Sequence, residues 1–85
     1  MKDNKIKFNE FYLACGLKKI HEQEDFENVY TVFSNGVIEV HYYWDADGEG
    51  SEAYYLKDSK TGEYLLPSKK DPEDFSDWLN FVETL

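Results

Sequence analysis

Three stretches of this 85-residue chain carry residue types able to do chemistry. The first is Asp45-Ala46-Asp47-Gly48-Glu49-Gly50, whose carboxylates are spaced like those of a calcium loop. An EF-hand loop takes acids at its first, third and fifth positions, glycine at the sixth and a bidentate glutamate at the twelfth. Counted from Asp45 the first six fit, but the twelfth is Leu56 and the flanks read as strands. The stretch therefore reads as an acidic hairpin tip. The second is His21 beside Glu22, Glu24 and Asp25. A metal needs several converging ligands, and this spacing matches no ligand motif. An exposed or interface histidine is expected there, and His41 is read the same way. The third is Cys15, with no base near it in sequence, expected as a core thiol. The chain has no glycine-rich phosphate loop and no Ser/His/Asp arrangement, and it is too short for a large pocket. No catalytic residue, metal or cofactor is expected, and the chain is read as a non-enzyme.

What does stand out is the distribution of charge. Eighteen acids face nine lysines, with no arginine, for a net charge of −9. Residues 1–19 carry five lysines and two acids, and residues 57–85 carry four lysines and seven acids. Residues 20–56 carry nine acids and no lysine, so this middle segment alone equals the whole net charge. Carboxylates held together in this way repel one another and create a local field. The alternative is a plain solubility surface.

The elements that position these residues follow from hydrophobic spacing. Phe8, Phe11, Tyr12 and Cys15 mark one face of a helix over residues 5–15, with Asn4 or Asn9 as cap and Gly16 as its stop. Residues 17–23 read as a short strand or a loop, and 22–27 as an acidic connector. Val29–Phe33, then Val37–Trp44, then Ser51–Lys57 read as strands joined at Asn35-Gly36 and Asp47-Gly48. A short fourth strand is expected at Glu63–Leu66. At the C-terminus, Asp71 as cap and Pro72 at the first position begin a helix whose stripe is Phe75, Trp78, Leu79 and Val82.

With two-residue turns, Phe33 pairs with Ile38 and Val29 with Tyr42, while Tyr42 pairs with Ala53 and Val40 with Tyr55. One face then carries Val29, Thr31, Phe33, Ile38, Val40, Tyr42, Trp44, Ala53 and Tyr55, and is the core face. The other carries Tyr30, Val32, Glu39, His41, Tyr43, Glu52, Tyr54 and Leu56. It is either covered by the N-terminal helix or left as an interface. The expected fold is α+β over one domain, residues 1–85. It has an N-terminal helix, a three- to four-stranded antiparallel meander, and a C-terminal helix packed on the sheet.

Composition bounds the partners. A single cysteine makes no internal disulfide and fits a reducing cytosol. The start lacks a signal peptide's apolar run, and no apolar stretch approaches a membrane span. Lysine, asparagine, isoleucine, tyrosine and phenylalanine are favoured by AT-rich codons, an association with low-GC bacteria and their phages. The expected location is the cytoplasm of a bacterium or of a phage's bacterial host. An acidic chain of this kind does not bind nucleic acid through a basic surface. Hairpin topology brings residues 22–27 and 45–52 to the same end of the meander. The expected partner surface is Glu22, Glu24, Asp25, Asp45, Asp47, Glu49 and Glu52, with Tyr43, Trp44 and Tyr54 as apolar anchors. In size, charge and composition the chain resembles phage-encoded inhibitors of nucleic-acid enzymes, among them anti-CRISPR proteins and other DNA mimics. That resemblance implies a basic partner protein of the nucleic-acid-enzyme kind, and the chain itself is expected as a monomer or homodimer. The other expectation is a structural or adaptor protein that self-associates through its tyrosine-rich face.

Overall fold

The computed structural model describes residues 5–46, 50–70 and 72–85. Its elements run α1 (Phe8–Cys15), β1 (Lys18–Glu24), β2 (Asn28–Ser34), β3 (Ile38–Asp45), β4 (Ser51–Asp58), β5 (Tyr64–Lys70) and α2 (Ser76–Glu83). The five strands form one antiparallel sheet in chain order, so the meander has five strands rather than three or four. The stretch 18–24 pairs with β2 as an edge strand, and a bulge between Lys19 and His21 leaves Ile20 exposed. Edge strands are commonly blunted in this way.

Helix α1 opens after Lys7, whose backbone N–H donates to the Glu10 carboxylate at 3.1 Å. It closes at Gly16 in the left-handed conformation (φ 65°), where Leu17 donates to the Tyr12 carbonyl at 3.1 Å and turns into the core. Helix α2 starts at Ser76, later than the Asp71-Pro72 signal predicts, and Asp71 lies outside the described residues. Phe75 explains the delay. Its backbone N–H bonds the Ile6 carbonyl, and its ring inserts fully buried beside Phe8, Phe11, Tyr54 and Trp78. Asp74 replaces the expected cap: one carboxylate oxygen accepts from Ser76 (2.9 Å) and from Ile6 (3.2 Å), tying the N-terminal segment to the start of α2.

Both helices lie on the same side of the sheet. The buried core is Phe11 and Leu17, Ile38, Val40 and Leu56 from β3 and β4, and Phe75 and Trp78. The first turn holds the expected faces but shifts the register. Phe33 pairs with Val40 and Val29 with Trp44, two residues from the expected partners. Asn35 is the cause. Its N–H donates to the Ile38 carbonyl (3.3 Å), and its side-chain oxygen accepts from Val37 (2.8 Å) and Ile38 (3.0 Å). The turn residues become Gly36-Val37, and a shift of two leaves every side chain on its own face.

The second turn does change faces. Tyr42 pairs with Tyr54 and Val40 with Leu56, one residue from the expected register. The described ladder runs as far as Asp45 opposite Ser51. The expected Asp47-Gly48 turn lies outside the described residues. Tyr54 and Leu56 therefore face the helices, while Ala53 and Tyr55 face away. The physical reason is Leu56: this register buries it completely, whereas the expected one leaves an aliphatic side chain among polar neighbours.

Candidate functional site

The strand order brings the β1–β2 and β3–β4 connections to one end of the sheet. Asn28 sits opposite Asp45, and the Ala46 N–H donates to the Glu27 carbonyl at 2.9 Å. The Asn28 amide nitrogen, turned toward both oxygens, reaches the Asp45 carboxylate (2.9 Å) and the Glu27 carbonyl (3.1 Å). One asparagine thus clamps the two connections together. Asp25 donates its N–H to the Asn28 carbonyl (2.8 Å) and accepts from the Phe26 N–H at 2.7 Å, leaving Phe26-Glu27 as the turn. The Phe26 side chain is 100 % exposed, between Asp25 and Glu27. A fully exposed phenylalanine between two acidic residues is the feature that sequence reasoning missed. The available signal was an aromatic residue inside a segment otherwise read as a charged connector.

The expected partner residues divide into separate groups. Glu24, Asp25 and Asp45 share the acidic end, while Asp47 and Glu49 lie outside the described residues. Glu22 sits farther along β1 and pairs with Lys19 at 2.9 Å, so a lysine from outside the acidic segment offsets one of its charges. Glu52 accepts a hydrogen bond from the Tyr42 hydroxyl at 2.8 Å. The three anchors do not come together. Tyr43 faces away from the helices, stacked on Tyr30 at 4.6 Å. Trp44 and Tyr54 face the helix side, and Tyr54 packs on Phe8 (5.0 Å) and Phe75 (5.1 Å). The one-residue register change accounts for the move of Tyr54.

Neither helix covers the second sheet face. Rings cross it from β1 to β5: His21 on Tyr30 (5.6 Å), Tyr30 on Tyr43, Tyr43 on Tyr55 (5.4 Å), and Tyr55 on Tyr64 (5.9 Å). Lys57 stands 4.8 Å from the Tyr64 ring centre. Beneath the row runs a short polar chain, with Tyr30 Oη 2.8 Å from His41 Nδ1 and His41 Nε2 2.9 Å from Glu39 Oε1. With Nε2 protonated toward the carboxylate, Nδ1 accepts from the tyrosine, so every member is satisfied and the rings are held in place. His41 is thus a nearly buried link under the face rather than an exposed side chain.

Ionisation follows the two environments. Burial, and then the bond to Glu52, pushes the Tyr42 hydroxyl well above the usual tyrosine range. Burial and the nearby Glu52 charge raise Tyr54 to about 12. Burial and Tyr30 raise Tyr43. Burial and Glu83 raise the Cys15 thiol, which keeps it protonated and a poor nucleophile. Among the described residues no group of three or more His, Cys, Asp or Glu is placed to hold a metal ion, and no helix is long and apolar enough to cross a membrane. Comparison with protein-family models, curated proteins and solved structures gave no match.

Proposed function

We propose that this chain is a small acidic, non-catalytic protein that binds and blocks a basic partner protein. In type it acts as phage-encoded inhibitors of nucleic-acid enzymes do, including anti-CRISPR proteins and other DNA mimics. It works in the cytoplasm of a bacterium, either the producing cell or a phage's host, and makes no direct contact with nucleic acid. The observation that carries this reading is Phe26, fully exposed among Glu24, Asp25 and Glu27 with Asp45 clamped alongside. Carboxylates steer a basic partner in and exclude acidic ones, while an aromatic residue that becomes desolvated supplies the anchor. Charge reversal of Asp45, Asp47 and Glu49 to lysine is expected to abolish inhibition of the partner. Inhibition unchanged by that triple substitution overturns the reading.

A second reading rests on a separate observation, the uncovered row of Tyr30, Tyr43, Tyr55 and Tyr64. On this reading the chain is a structural or adaptor protein of a phage or mobile element that self-associates through the tyrosine face. Sedimentation at several concentrations separates the two. A dimer that protects Tyr30 and Tyr43 supports the adaptor, and a monomer that captures a basic nuclease supports the inhibitor.

A further inference from the structure

On the helix side of the sheet, α1 and the middle strands leave a cleft of about 360 Å³ lined by Phe8, Asn9, Tyr12, Phe33, Tyr42 and Tyr54. Five of these six are aromatic. Phe8 lies 6.1 Å from Tyr12, 5.3 Å from Phe33 and 5.0 Å from Tyr54, and Tyr42 lies 4.8 Å from Tyr54. Aromatic walls around an accessible space attract cations through the negative faces of the rings. Charge agrees with this. The hydroxyl of Tyr42, a lining residue, donates to the Glu52 carboxylate at 2.8 Å, which brings a negative charge next to the lining. Register places Glu24 at the other end of the same cross-strand row, with Val29 and Trp44 between them. Lys19, the lysine of β1 paired opposite Phe33, is held by Glu22. The aromatic cluster already takes a cation from within the chain, because Lys69 Nζ stands 5.7 Å from both the Phe75 and Trp78 rings. Phe75 in turn packs on Phe8 and Tyr54, the back wall of the cleft.

We infer that this cleft is the receptor for an arginine side chain of the basic partner protein, an inference that rests on the function proposed above. Arginine suits the site better than lysine. Its guanidinium is planar, stacks on rings, is weakly hydrated, and presents several donors to the Glu52 carboxylate and the tyrosine hydroxyls. Glu24, by register, lies on the same side of the sheet as the cleft, so its carboxylate adds to the field that favours a cation there.

The test is an NMR titration of the full chain, labelled in its aromatic rings and backbone, with capped tetra-arginine, tetra-lysine and tetra-citrulline peptides. The expected result is that tetra-arginine shifts the ring signals of Tyr12, Tyr42 and Tyr54, with weaker effects from lysine and none from citrulline. Glu52→Gln and Asn9→Lys are each expected to weaken that binding by roughly 3- to 30-fold. Asn9 is exposed, so Asn9→Lys leaves the core intact should Glu52→Gln disturb the Tyr42 contact. Equal shifts from citrulline, tighter binding of lysine, or binding unchanged in Asn9→Lys overturns the inference. If arginine moves only the signals of residues 24–28 and 45, the cleft assignment falls and the acidic-end reading stands. If no basic peptide moves any signal, both fall.

Discussion

Replacing Leu56 and Tyr55 separately with alanine tests the register that decides which tyrosines reach a partner. Leu56 is fully buried, paired with Val40 and Leu66 across the sheet and packed into the core under the helices. Truncation there removes the transfer free energy of the lost methyl groups and leaves a cavity, together about 2–5 kcal/mol. A domain of this size has roughly 4–13 kcal/mol of total stability, so the loss is a large fraction of it. A loss of about 3 kcal/mol lowers the melting temperature by roughly 12–24 °C. Tyr55 lies half-buried on the uncovered face, touching Tyr43 and Tyr64 at its edges. Its removal forfeits ring contacts and a little area, about 1 kcal/mol. Urea unfolding followed by circular dichroism measures both, and equal slopes confirm that the comparison is one of stability. If Tyr55→Ala costs as much as Leu56→Ala, β4 presents its other face to the helices. Tyr54 would then stand beside Tyr43, and neither the cleft nor the tyrosine row would have the lining described above.

Phe26→Ser is expected to leave stability within about 0.5 kcal/mol, because the ring buries nothing in the folded chain, while sharply weakening capture of a basic partner; thermal melts and binding isotherms on the same sample check it. The fold should loosen in alkali. Tyr42 and Tyr54 are held protonated in the folded state, so their contribution is complete below pH ~10, the unfolded tyrosine value, and is lost as pH rises toward about 12 for Tyr54. Circular dichroism and tyrosinate absorbance should change together there, and Tyr54→Phe should push the transition upward. Asp74 has the opposite sign: its hydrogen bonds from Ser76 and Ile6 hold its carboxyl below the usual range. Its contribution is present above the unfolded carboxyl value and is lost as pH falls through the folded one. Asp74→Asn should therefore flatten the acid limb of the stability profile, and hydrogen exchange should report early opening at Ile6 and Ser76.

Much of the architecture was legible in spacing alone. Phe8, Phe11, Tyr12 and Cys15 with Gly16 marked α1, and the β-branched and aromatic run before Asn35-Gly36 marked the central hairpin. Other parts carried no such signal. β1 is exposed along its whole length, so its sequence shows no alternation, and only its pairing to β2 makes it a strand. In β4 the neighbours Tyr54 and Tyr55 are the same residue type, so composition could not say which one faces the core. Leu56 carried the information, and the turn rule at Asp47-Gly48 outweighed it. The start of α2 moved because burial of Phe75 outweighed a good capping sequence. The acidic end followed from hairpin topology, whereas the aromatic cleft needed α1 to be placed against Phe33 of β2 and Tyr54 of β4, which no local pattern specifies.

We propose that the acidic end and its aromatic neighbours occupy the nucleic-acid site of a basic protein. The most direct measurement captures that partner from a bacterial lysate on the immobilised chain, then follows displacement of labelled DNA or RNA from the purified partner at low and high salt. On this proposal displacement is stoichiometric, weakens steeply as salt rises and is lost in the Asp45, Asp47 and Glu49 to lysine variant. Displacement insensitive to both salt and charge reversal, or a partner that binds while its nucleic acid stays in place, would contradict it.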